Sequence, residues 1–292
     1  MEYQLGVLKN DKDGYTKLIA LYNQIRSNPA NEITIRLPNW FEANMCAPFG
    51  AILNLCRNHG IKKITLNCDY PDVMEILQKN KFLSTFGFNR APVYDKFGTT
   101  IQYRDFRQGD HVSFSLYVDS NFKQKQKGFP EMNEQVLINF RRSLFEIFEN
   151  AVAHSETSTI YACGQHFKIK KRLDFSIVDV GIGFHGNINK KIGSNFNPIN
   201  AILWALEENA TTKNGPVPGG LGLKLIKEFI HTNKGRMHVI SYSGYCEYFN
   251  GIYLNETLQD PFPGTIVNIQ INTAGKFSDC LKSEVDKDGF FR

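Results

Sequence analysis

The stretch Glu146-Ile-Phe-Glu-Asn150-Ala-Val-Ala-His154 decides how this chain reads. It closes a longer segment, Asn133 to His154, in which Val136, Leu137, Phe140, Leu144, Ile147, Phe148 and Ala151 recur at helical spacing. Glu146, Asn150 and His154 lie four apart, so on a helix they line one edge of that apolar face, and the carboxylate and carboxamide look into a cleft. An Asn carbonyl oxygen is a hard ligand of the kind Mg²⁺ accepts when the rest of its shell is phosphate oxygen and water. A Glu one turn earlier can take a proton from an attacking water or hydroxyl. The same pattern fits a helix that carries polar residues beside its buried stripe, and His154 reads as a cap or packing residue.

Downstream, Leu173-Asp-Phe-Ser-Ile-Val178 reads as a strand that delivers Asp179 to its carboxyl end, where Gly181 and Gly183 let the backbone turn sharply. Gly181-Ile-Gly183-Phe-His-Gly186 also satisfies the dinucleotide pattern G-x-G-x-x-G. That reading is set aside on context, because Asn187 to Gly193 shows no apolar helix and no strand with a terminal acid follows. A third element, Gly219-Gly220-Leu221-Gly222-Leu223, opens a helix with Leu221, Leu225, Ile226, Phe229 and Ile230 in period. Free N–H groups at such a helix start suit a phosphate. Between them, Asn197-Pro198 marks a helix start. Ala210 to Gly219, with Lys213 as its cation, has the composition of either a lid or an ordinary surface loop.

In order and spacing these three motifs resemble the N, G1 and G2 boxes of the GHKL (Bergerat) ATP-binding fold. That fold is shared by histidine kinases, type II topoisomerases, MutL-type repair proteins and anti-sigma-factor serine kinases. Pro263-Gly264-Thr265-Ile266-Val267 looks like the family's last strand motif. The resemblance implies an α/β sandwich that binds ATP and Mg²⁺. By it, Asp179 bonds the adenine amino group while Gly181 and Gly183 bring backbone close to the base. Gly219, Gly220, Leu221, Gly222, Leu223 and Thr265 complete the nucleotide site, Asn150 holds the metal, and Glu146 is the catalytic residue. The expected activity is a Mg²⁺-dependent ATPase acting as a conformational switch in signalling or regulation. Alternatives are a serine/threonine kinase of the anti-sigma type and a non-hydrolysing ATP-responsive binding module. Histidine autophosphorylation is not expected, because residues 106 to 135 offer no helical hairpin and His111 lies in a strand-like run.

Upstream, extended and helical segments alternate: Gln4 to Leu8, Tyr15 to Ser27, Ile33 to Leu37, Asn44 to His59, Ile61 to Cys68 and Val73 to Leu83. This βαβαβα series predicts a small α/β domain. Its layout weakly resembles an anti-sigma-factor antagonist (STAS) domain, although Pro38 to Pro48 lacks the Ser or Thr that accepts phosphate there. The expected organisation is a STAS-like or docking domain over 1–105, with the junction near Arg104 to Asp110. A GHKL domain follows over 106–275, and then a polar tail over 276–292, taken to be partly disordered.

Composition limits the remaining choices. The chain has 292 residues, 42% apolar and 22% charged, with a formal charge of +5, ample for two cores. No apolar run approaches the roughly 20 residues of a membrane span, and the N-terminus lacks the pattern of a signal peptide. Cytoplasm is the default location and no membrane partner is expected. Cys46, Cys56, Cys68, Cys163, Cys246 and Cys280 form no C-x-x-C pair, so reduced thiols are expected. Of the basic runs, Lys123 to Lys127 is short, and Lys168-Ile-Lys-Lys-Arg172 predicts a solvated hairpin turn between two strands. Nucleic acid is therefore disfavoured. A protein partner is expected, and a homodimer remains an option.

Overall fold

The computed structural model describes residues 1–28, 30–88, 90–123, 129–154, 156–193, 195–207, 221–274 and 276–277. The first region follows the expected alternation. It comprises β1 (Glu2–Gln4), α1 (Lys12–Ser27), β2 (Glu32–Arg36), α2 (Cys46–Asn58), β3 (Lys63–Asn67), α3 (Pro71–Lys79) and the short α4 (Phe82–Thr85). The three strands pair in parallel in the order β1-β2-β3, which requires the helical crossovers the sequence supplies. Local signals set the helix starts. Asp11 caps α1 by accepting the Gly14 N–H at 2.9 Å, and Pro71 opens α3. The first strand lies earlier than expected, and Leu8 makes only an isolated bridge to Phe41.

The second region comprises β4 (Thr100–Arg107), α5 (His111–Asn121), β5 (Glu131–Met132), α6 (Glu134–His154), β6 (Thr159–Phe167) and β7 (Arg172–Asp179). These are followed by α7 (Gly183–Ile192), α8 (Pro198–Ala205), α9 (Leu221–Asn233), β8 (Arg236–Phe249), β9 (Ile252–Asn272) and β10 (Lys276–Phe277). Five strands form an antiparallel sheet in the order β4-β6-β7-β9-β8. The expected junction, Arg104 to Asp110, straddles the end of β4. From the expected tail, Lys276–Phe277 pairs with β5; residues 275 and 278–292, Cys280 among them, lie outside the described residues. Cys46, Cys56, Cys163 and Cys246 are buried free thiols, and Cys68 is a half-buried one.

Two local expectations are corrected. His111 begins a helix instead of lying in a strand. Val112, Phe114, Leu116 and Val118 alternate, but the chain buries Phe114, Tyr117 and Val118 and leaves Val112 and Leu116 exposed. The segment after Gly183 is also helical, as α7, with Ile188 its buried anchor. The Rossmann reading is still excluded, because β7 runs antiparallel to both neighbours. The hairpin turn at Lys168 to Lys171 lies where the sequence placed it.

The sheet's two faces are covered differently. Leu173, Phe175 and Ile177 of β7 point to one face, with Val267 and Ile269 of β9. There α6 and α9 pack through Phe148, Phe140 and Phe229, and Phe114 of α5 stacks on Phe148 with centroids 4.3 Å apart. Each such buried Phe stabilises by about 1.5–3 kcal/mol. The opposite face carries Ser176 and Asn268, and the first region lies on it. Asn44 Nδ2 donates to Ser176 Oγ at 3.3 Å and Asn10 Nδ2 to Asn268 Oδ1 at 2.7 Å.

Candidate functional site

β7 ends at Asp179, where the alternation that buries Phe175 and Ile177 places the carboxylate on the helix-covered face. Asp179 is only 6% exposed. Its Oδ1 accepts the Gly181 N–H at 3.0 Å. Thr265, its register partner on β9, donates through both its N–H and its hydroxyl. Burial pushes the Asp179 carboxyl up to about 7, against the opposing pull of those donors. An acid buried among neutral donors keeps accepting capacity for one more hydrogen-bond donor.

The backbone beside Asp179 packs closely, and two glycines make that possible. Gly183 has φ +65°, and a Cβ there would stand 2.6 Å from Ser241 Oγ. Gly264 has φ +146°, and its Cβ would stand 2.0 Å from the Asp179 carbonyl oxygen. Any other residue would be strained at both positions and would collide with Ser241 or with the Asp179 backbone. Ser241 fixes the glycine turn, accepting the Phe184 N–H at 2.8 Å and standing 3.4 Å from the Thr265 hydroxyl. Beside it Tyr242, 46% exposed, stacks on His185 with centroids 5.5 Å apart.

Glu146 and Asn150 are both half-buried on α6. Ile147, Phe148 and Ala151 beside them share a core with Ile177 and Val267, so both polar side chains lie on the helix layer over the face that carries Asp179. His154 is the last residue of α6. Glu149 joins α6 to α5, with Oε1 2.5 Å from His111 Nδ1, and the His111 ring meets Phe148 edge-on. α9 begins at Leu221 and includes Gly222, while Leu223 is buried among core residues and so packs instead of lining the surface. Gly219, Gly220 and the stretch Ala210 to Gly219 with Lys213 lie outside the described residues.

Among the described residues no three His, Cys, Asp or Glu side chains group as a metal site. Asn150 offers a neutral carbonyl oxygen of the kind a magnesium ion accepts. Sequence reasoning missed Ser241, whose local run Val239-Ile-Ser-Tyr242 carries no signal; only its register opposite Thr265 reveals it. Neither protein-family profiles nor curated proteins give a match to this chain.

Proposed function

We propose that the chain is a Mg²⁺-dependent ATP-binding protein of the GHKL type, and that it hydrolyses ATP to drive a conformational switch. The observation that carries this reading is Asp179: a buried carboxyl at a strand end, held by Gly181 and Thr265, where Gly183 and Gly264 let neighbouring backbone approach closely. A planar base with an exocyclic amino group suits such a site, because a carboxylate with three donors can accept one more and a base needs close backbone approach. Asn150 would hold Mg²⁺ against the phosphates. Glu146, one turn earlier on α6, would orient and deprotonate the attacking water. Cytoplasmic signalling, with the first region as docking platform for a protein partner or a second copy, completes the proposal.

The runner-up is transfer of the phosphate to a protein hydroxyl, which uses the same groups. Incubation of the full chain with Mg²⁺ and ATP labelled at the terminal phosphate separates the readings in one tube. Released label that vanishes in Glu146→Gln and Asn150→Ala supports the switch. Label on protein supports the kinase. Asn150-dependent binding with neither outcome supports a non-hydrolysing ATP-responsive module, and absence of nucleotide binding overturns all three.

A further inference from the structure

The charged turn between β6 and β7 has an apolar tip. Ile169 is 99% exposed between Lys168 and Lys170. Two other segments bring aromatic side chains to the same pole. Phe97 (60% exposed) lies under the ammonium groups of Lys96 and Lys168, and Lys168 also donates to the Phe97 carbonyl. Trp40 (44% exposed) lies under Lys170, whose ammonium is 5.7 Å from its ring. Tyr94, on the Phe97 loop, is also exposed. The acid of that loop, Asp95, turns inward, accepting from the N–H and hydroxyl of both Thr99 and Thr100. Arg172 likewise faces inward to Glu42 and Asp174. The pole therefore presents Lys96, Lys168, Lys170 and Lys171 around an apolar tip. It lies at the end of the eight-residue β7 away from Asp179, about 25 Å from it at ~3.3 Å per residue.

We propose that this pole docks the protein peripherally on an anionic lipid surface, with Ile169 and the edges of Trp40 and Phe97 entering the interface and the lysines meeting the headgroups. Charge complementarity selects an anionic partner. The choice of lipid over single-stranded nucleic acid rests on two features. The faces of the Phe97 and Trp40 rings already carry ammonium groups, which leaves fewer faces on which bases would stack. The most exposed group is an aliphatic side chain at a tight turn, fixed by the Lys171 N–H donating to the Lys168 carbonyl at 3.2 Å, and an aliphatic tip suits an acyl boundary. No spanning helix is required, and among the described residues none is long and apolar enough to cross a membrane.

Co-sedimentation of the full chain tests this with vesicles of phosphatidylcholine alone and vesicles of equal parts phosphatidylcholine and phosphatidylserine. Binding to the mixed vesicles only is expected, weakening with salt. Lys168→Gln and Lys170→Gln should each weaken it about fivefold, and Ile169→Ser about tenfold or more. These side chains are at the surface, so unchanged melting temperatures check the fold. Asp179→Asn should leave vesicle binding intact, which separates this proposal from the nucleotide reading. The proposal is overturned by equal binding to both vesicles, by binding indifferent to Ile169→Ser, or by lysine-dependent binding of a single-stranded oligonucleotide without vesicle binding.

Discussion

At the amino end of β7, Asp174 is fully buried against a guanidinium: Arg172 Nη2 stands 2.8 Å from its Oδ2 and 2.9 Å from Glu42 Oε1. At the carboxyl end, Asp179 is buried beside Gly181 and Thr265, which are neutral donors. Both carboxyls are pushed up to about 7, chiefly by burial. At Asp174, Arg172 pulls down and Glu42 pushes up again, so one cation serves two acids. At Asp179 the opposing pull comes from hydrogen bonds. The difference separates a structural acid from an available one. Asp174 is held, through Arg172, in the contact between the first region and the back of the sheet, whereas Asp179 lies at a glycine turn and retains accepting capacity.

The largest effect that tests this contrast is expected from Arg172→Met. Removing the shared cation leaves Asp174 and Glu42 buried without it, a loss of about 3–5 kcal/mol. The loss depends on pH with a definite sign. A carboxyl whose folded value is raised stabilises fully below its unfolded value, near 4, and loses that contribution as pH rises through about 7. Without Arg172 the carboxyl rises further, so the variant should lose more stability at pH 8 than at pH 5 in urea titrations. Equal losses at both pH values would show that ionisation of Asp174 plays no part.

Asp179→Asn should act in the opposite direction on stability and strongly on binding. Its amide carries no charge, so the variant should gain stability relative to the parent between pH 4 and 7 and hold that gain above. The gain is bounded at about 4 kcal/mol by ~1.4 kcal/mol per pH unit. ATP binding, read by calorimetry at pH 8, should fall about a hundredfold, the equivalent of losing one charged hydrogen bond of about 3 kcal/mol. Unchanged binding would break the comparison, leaving Asp179 as structural as Asp174.

The two ends were not equally legible in sequence. Asp179 announces itself through a strand that ends in an acid followed by glycines, which are local signals. Asp174 sits in the same strand as an alternating polar residue and reads as solvent-facing; it is buried because Glu42 and α2, about 130 residues earlier, cover that face. Long-range packing of this kind leaves no mark on local periodicity. α5 failed for a related reason. Its apolar alternation matches a strand, and only contact with Phe106 and Phe148 selects the face containing Phe114 and Tyr117. One missed signal was local. Asn250-Gly251, both with positive φ, turns β8 into β9 and carries the dipeptide preferred at such hairpins.

The smallest expected effect sharpens the account of the neutral end. Ser241 is fully buried and accepts the Phe184 N–H next to Gly183. In Ser241→Ala that N–H loses its acceptor, at about 1–2 kcal/mol. Because neither partner titrates, the loss should be the same at pH 5 and pH 8, unlike that of Arg172→Met. Nucleotide affinity should fall only severalfold, through loosening of the Gly183 turn, since the serine holds that turn and leaves recognition to Asp179. A pH-dependent loss in urea titrations would instead couple Ser241 to ionisation of Asp179 through the Thr265 hydroxyl, 3.4 Å away, and would make the hydroxyl pair part of the charge balance of the site.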